Sequence, residues 1–526
     1  MIAWYWVLSF WFPLRAGRDF ITWFLYFRDI LRVEPESTLL MLYRTPLTPL
    51  FYGAGFQFVG QFGIECVLSV LYGFSAGAIF LVMRQFGSVA AWLTLLLAAL
   101  NLWIFNWYNA VGSETLQTVL LCLWFSLAFF AMRSLHVRLW AALALVVFLM
   151  VLNRPANQTF VLCGLLPLLI PMGTWKRRFF LCGCFVGIYA AAHVGYASLN
   201  SVRFGQFCIA KLGNAHLPFY RLFVQEHVIS PDNGPASARL AQFVESRVLS
   251  DPVFQEHEIT RDIFFTYSSQ RMFNSLIFAL QREGAVDGEF SLAQDYVILK
   301  KAAMESLLND PRGSACRYFE QLLNVFSYKH HGPFRWKTGK KSRKLEVSNL
   351  RDLGNKWKNR LQEQLELYAR KGIPIPNEGD FLPARAVYFC PENENKSNWL
   401  GIPFEAHPWD LRPVTSPNPT ADQLLRTSEN FIPDYRWFLA SFFCFSLSVV
   451  FGQRDFRIPL LTSIAMVSLL ASLFASVQWE FRCPYDFILT AFFVFGFWSL
   501  FQHNILLRGD AARKREKSPA MPLPEN

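Results

Sequence analysis

The run GIECVLSVLYGFSAGAIFLVM, residues 63–83, decides the fold class: it is apolar but for Glu65 and stops against Arg84. A hydrocarbon layer takes about 20 helical residues to cross, so a stretch of this length and composition reads as a membrane span. Working outward, nine further apolar stretches follow the same pattern, at 2–14, 89–108, 115–132, 139–152, 159–172, 179–199, 435–451, 458–477 and 487–503. The expectation is an all-α polytopic membrane protein of about ten transmembrane helices. The first stretch is short for a crossing, and the aromatic segment after it is available to complete it.

Basic residues collect at alternate ends of these stretches. Arg84 follows the second, Arg133 and Arg138 the fourth, Lys176, Arg177 and Arg178 the sixth, and Arg454 and Arg457 the eighth. The tail at 506–526 adds Arg508, Arg513, Lys514, Arg515 and Lys517. By the positive-inside rule these ends are cytoplasmic, both termini face inward and the odd-numbered loops face out. A multi-pass protein of a bacterial inner membrane, with its working side extracytoplasmic, is the expected location. Arg154 and Arg482 break the charge asymmetry by falling in short outward loops, which makes them informative.

Composition agrees: 53% of residues are hydrophobic, 17% aromatic and only 17% charged, which excludes an ordinary soluble enzyme with one anchor. The net charge of +11 gathers partly in the inward loops and tail, where anionic lipid headgroups account for it without nucleic acid. No basic start or small-residue cleavage site marks a signal peptide. Six of the ten cysteines (Cys66, Cys122, Cys163, Cys182, Cys184 and Cys444) lie in apolar segments as small hydrophobes, leaving Cys208, Cys316, Cys390 and Cys483 for an oxidising compartment to pair. No metal is indicated: His330-His331 and His407 lack a spaced third ligand, although a divalent ion remains compatible with the chemistry below.

The division is therefore 1–200, an amino-terminal transmembrane module; 201–434, a polar extracytoplasmic domain; 435–505, a carboxy-terminal transmembrane module; and 506–526, a basic tail. Apolar residues at three and four spacing predict amphipathic helices over 236–248, 258–281 and 292–327, with Asn309-Asp310-Pro311 breaking the last. The charged run 337–370 reads as a solvated helical pair or arm, and 374–419 as irregular loops.

The first outward loop, 15–50, carries the most chemistry. Trp23, Tyr26, Phe27 and Ile30 recur at helical spacing and make an aromatic face for a juxtamembrane helix, with Asp19 at its start. A polar break leads to Arg44-Thr-Pro46-Leu-Thr-Pro49. Asp29 is a secondary carboxylate there, with Glu34 and Glu36 beside it. Glu65 lies in the second stretch, where an acid is paired, protonated or turned to the interface.

With Asp19 and Trp23, then Arg44-Thr-Pro46-Leu-Thr-Pro49, Gly112-Ser-Glu114, Asn153-Arg-Pro155 and Phe481-Arg-Cys-Pro-Tyr485 in that order, the chain resembles the GT-C glycosyltransferases. The similar branch holds protein O-mannosyltransferases, lipid A aminoarabinose transferases and lipopolysaccharide-core transferases. The resemblance covers 1–200 and 435–505; Phe20 replaces the second acid of some relatives, and Cys483 an aromatic. It implies a GT-C fold, a polyprenyl-phosphate-linked sugar as donor, and a glycan, lipid or protein acceptor.

The residues suit that chemistry on their own terms. A guanidinium offers paired hydrogen bonds to phosphate and stays charged in a partly dry site, so Arg44, Arg154 and Arg482 are candidate donor-phosphate ligands, with Glu114 either beside them or only capping its helix. A positioned carboxylate, Asp19, would take the acceptor proton in an inverting single displacement. Two rivals remain: a polysaccharide polymerase or O-antigen-ligase-like enzyme, which would rest on outward Arg or His rather than a first-loop Asp, and a secondary transporter, which would need paired repeats and broken midplane helices. Asn157-Gln-Thr159 and Asn395-Lys-Ser397 match the glycosylation triplet, a pattern frequent by chance.

Overall fold

In the computed structural model every one of the ten apolar stretches contains helix, and among the described residues five helices are long and apolar enough to cross a membrane. The structure describes residues 1–16, 38–170, 173–211, 213–250, 260–266, 297–327, 419–475 and 481–516, with 23, 26–27, 30, 254–255, 268, 272–273, 275–277 and 279–280. Asp19, Asp29, the charged run 337–370 and almost all of 374–419 lie outside the described residues.

The helical order begins with α1 (Ile2–Ser9), strand β1 (Arg15–Ala16), α2 (Thr38–Tyr43), α3 (Leu47–Arg84), α4 (Ser88–Leu100), α5 (Leu102–Tyr108) and strand β2 (Ala110–Val111). It continues with α6 (Ser113–Ala131), α7 (Val137–Asn153), a 3₁₀ segment (Pro155–Leu169) and α8 (Trp175–Phe204). The spans by length and composition are α3, α6, α8, Arg457–Phe474 and Cys483–Gln502, and α4 with α5 makes a sixth if a 61° bend between them is counted within one crossing. The remaining apolar helices, α1, α7 and the 3₁₀ segment among them, are shorter than a full crossing.

Two local features account for departures from the simple pattern. Instead of starting at 63, α3 begins at Leu47, because Pro46 and Pro49 fall where a helix start has no intrahelical use for their missing N–H groups. Gly60 then breaks it at φ +68 and ψ −178, a conformation only glycine adopts freely. At Asn101 the side chain accepts from Ile104 N, starting α5 in a new direction.

After the polar middle come α12 (Tyr435–Val450), α13 (Arg457–Ala475) and α14 (Asp486–Glu516). α12 and α14 pack closely: Ser441 Oγ donates to the Phe492 and Phe493 carbonyls, and a Cβ on Gly496 would meet Ser441 Oγ at 1.9 Å. α6 is the central helix, buried along most of its 19 residues and packed on α3 and α7. Outward-facing Leu81, Trp92, Leu96, Phe179, Val194 and Phe443 are exposed, an apolar surface that water does not tolerate at this extent.

Contacts divide the chain into two units, the described parts being 1–218, 321–327 and 419–516 in the first and 219–320 in the second. The helical bundle thus continues past the expected limit at 200 and takes in 419–434. Within the second unit, α9 (Pro235–Phe243) lies beside α10 (Val297–Asn309). Glu305 of α10 accepts from Ala236 N, Ser237 N and Ser237 Oγ, all at 2.8 Å, satisfying the amino terminus of α9. α11 (Pro311–Ser327) follows the break at Asp310 that its sequence predicts. Glu226, buried with Arg221, also accepts from Arg317 at 3.1 Å.

Candidate functional site

The amino end of α6 brings Glu114 together with Arg154. β1 pairs in parallel with β2, Ala16 opposite Val111, which brings the first loop to within three residues of Glu114 along the chain; Asp19 follows Ala16 by three residues in sequence. Gly112 is extended, and a Cβ there would stand 2.5 Å from Glu114 Oε2, so only the smallest residue leaves the carboxylate in its position. Glu114 forms an ion pair with Arg154, whose Nε donates to Ser113 Oγ at 2.9 Å. The pair is largely but not fully shielded, at 13% and 14% side-chain exposure. The Arg154 guanidinium also lies 5.2 Å from the Phe481 ring centroid, which ties the Asn153-Arg-Pro motif to the loop before the last helix.

A buried polar network supports this end of the bundle. Thr48 Oγ1 of α3 donates to Asn153 Oδ1 at 2.7 Å, and Asn153 Nδ2 donates to Ser113 O and Gln117 Oε1. Gln117 and Asn157 exchange amide hydrogen bonds, Ser468 of α13 reaches Asn157 Oδ1 at 3.3 Å, and Tyr485 donates to Ser468. Each donor finds an acceptor where an unpaired amide would cost about 1–3 kcal/mol. Asn157, 1% exposed inside this network, is no glycosylation acceptor in the folded protein.

Arg44 sits one turn before Thr48. Its guanidinium stacks 4.5 Å from the Trp23 ring and 5.1 Å from Tyr43, so the first loop's two motifs do meet. Trp23, Tyr26 and Phe27, expected on the face of an interfacial helix, are buried, and Phe27 lies on Gly53 of α3 so closely that a Cβ would collide at 2.1 Å. Glu65 is half-buried and accepts from Gln61, four residues earlier on the same helix.

Arg482, expected among the donor-phosphate ligands, is enclosed by protein partners. It is 1% exposed, and its guanidinium is already occupied: Nε donates to Asp486 at 3.0 Å, Nη1 to Val325 O at 3.1 Å and Nη2 to Pro433 O at 2.9 Å. Asp486, equally buried, accepts also from Asn101 at the α4–α5 bend. A phosphate would have to displace three buried partners, so Arg482 holds the last loop, the 3₁₀ turn Cys483–Tyr485 and α11's end together. Asp486 was legible as the acid four residues after an arginine at a helix start. Gln117 and Ser468 carried no such signal, because apolar helices contain isolated polar residues routinely.

Among the described residues no three His, Cys, Asp or Glu side chains are grouped as metal ligands. An apolar groove of about 460 Å³ between Met1, Gly73, Gly77, Phe80 and Trp92 belongs to other residues than the charged cluster. Compared with known proteins, the chain matches no family model, no curated protein and no solved structure.

Proposed function

We propose that this chain is an integral-membrane glycosyltransferase of GT-C type, moving a sugar from a polyprenyl-phosphate carrier to a lipid-linked glycan, lipid or protein acceptor on the extracytoplasmic side. About ten crossings, the shorter helices included, and cytoplasmic termini belong to the same reading. The observation that carries it is the partly shielded Arg154–Glu114 pair: Arg154 Nη1 makes no hydrogen bond among the described residues, while its other donors are anchored. A guanidinium held in place with one edge left over suits a phosphate oxygen at the headgroup level. Arg44, stacked on Trp23 one turn before the same network, is the second candidate ligand.

In the reaction the acceptor hydroxyl oxygen attacks the anomeric carbon and passes its proton to Asp19. The bond from that carbon to the carrier phosphate breaks, and the electron pair leaves on the phosphate, whose charge Arg154 and Arg44 offset. Configuration inverts in one step. Arg482 acts through Phe481, setting the ring under Arg154, rather than touching the carrier.

Protein reconstituted in liposomes and supplied with a panel of labelled polyprenyl-phosphate sugars and membrane extract is expected to transfer one label. Asp19→Asn is expected to lower transfer by at least about 10²-fold while carrier retention persists. Full transfer by Asp19→Asn moves the base elsewhere, and failure of every donor overturns the assignment.

A further inference from the structure

At the opposite end of α6, about 26 Å from Glu114 at 1.5 Å per residue, four alternate loops meet. Arg133 Nη1 donates to Gln85, Arg177 Nη2 donates to Leu135 O at 3.1 Å, and the guanidinium carbons of Arg133 and Arg457 lie 5.2 and 4.2 Å from the ring centroid of the same residue, Phe129. Two like charges share one aromatic ring, and the only carboxylate paired with them among the described residues is Asp455. Asp455 takes Nε and Nη2 of Arg457. Arg457 Nη1 is buried with no hydrogen-bond partner, although the side chain keeps 15% exposure.

An unpaired donor of a buried cation costs more than a neutral one, and this one is arranged with Arg133 exposed at the rim above it. Burial first, then the Arg457 charge, lowers the pKa of Arg133, as expected for cations pressed together without enough anion. Arg133 and Arg457, the two arginines on Phe129, with Asp455 leave one positive charge, Arg177 being held apart on the Leu135 carbonyl. Val450, Phe451 and Phe456, on the turn that carries Asp455, are exposed apolar side chains beside it.

We propose that this notch binds the phosphodiester headgroup of an anionic membrane lipid, the phosphate completing Arg457 and Arg133 and the acyl chains lying along the exposed apolar side chains of the α12–α13 turn. A monoanionic diester matches the single net charge, and the apolar rim favours a lipid over free phosphate. The site stands whether or not the chain transfers sugar; it rests on the apolar helices lying in a bilayer.

The full chain is reconstituted in phosphatidylcholine nanodiscs containing a minor fraction of phosphatidylglycerol, and lipids retained on release are counted by native mass spectrometry. Wild type is expected to retain phosphatidylglycerol selectively. Arg133→Gln, an exposed change that leaves the Asp455 pair alone, and Arg457→Gln are each expected to weaken retention about fivefold, near the value of one basic contact to an anionic surface. Arg138→Gln, outside the notch, is expected to leave it unchanged. Equal retention by wild type and Arg133→Gln overturns the site, as does loss of retention in Arg138→Gln alone. Displacement of the lipid by millimolar inorganic phosphate overturns the lipid assignment. Failure to enter nanodiscs at all would instead overturn the membrane reading.

Discussion

Arg154 and Arg482 stand in two loops linked by the Phe481 ring, yet the fold treats them differently. Arg482 is 1% exposed and bonded through all three nitrogens, two of them to backbone carbonyls that cannot move without moving chain. Arg154 is 13% exposed, with two nitrogens anchored to consecutive residues of one helix and the third making no hydrogen bond among the described residues. Both break the same charge rule in sequence. The difference separates a cation saturated by protein acceptors from one with a nitrogen left over among the described residues, so an arginine that breaks the charge pattern is not by itself a binding residue.

The largest expected effect comes from breaking the saturated member. Arg482→Ala leaves Asp486 buried and uncompensated, so unfolding in detergent should show a loss of about 3–5 kcal/mol. Adding Asp486→Ala should recover part of that loss, and a stable Arg482→Ala protein that fails only in carrier binding would erase the distinction. Arg154→Gln should do the reverse, lowering transfer by about 10²- to 10³-fold with a melting temperature close to wild type. Equal damage to melting and turnover would make Arg154 structural too.

A subtler change sharpens the same contrast. Gly112→Ala places a methyl group where Glu114 Oε2 now stands, in a backbone conformation any residue adopts, so the carboxylate must shift. Transfer should fall about tenfold, equivalent to roughly 1.4 kcal/mol, with carrier retention read in parallel. The smallest effect belongs to the second unit. Burial raises the Glu305 pKa, but the Ala236 and Ser237 donors outweigh it and hold the carboxyl below its usual range. Its stabilisation is therefore complete above the unfolded pKa, about 4.3, and is lost as pH falls through the lower folded value. Glu305→Gln should flatten that acid limb of the unit's unfolding curve, which a pH series of hydrogen exchange across 235–243 would read.

Much of the architecture was readable in one dimension. The ten apolar stretches, the aromatic face at Trp23, Tyr26 and Phe27, and the break at Asp310 follow from spacing alone. The sequence left Glu114 between capping its helix and lying beside an arginine, and the fold pairs it with Arg154. The early start of α3, its kink at Gly60 and the bend at Asn101 were not readable, because a glycine or an asparagine inside an apolar run is compatible with a straight helix until neighbours decide.

What the sequence determined by itself is the apolar spans and the alternation of basic loops, for the cost of placing each residue in hydrocarbon is local and sums along the chain. Four basic loops do meet at one end of α6, as that alternation requires. Only the tertiary structure decided which arginine is occupied and which is available. A guanidinium is saturated by acceptors such as Val325, Pro433 and Asp486, and no local pattern records which distant carbonyls the packed helices will bring within 3.1 Å.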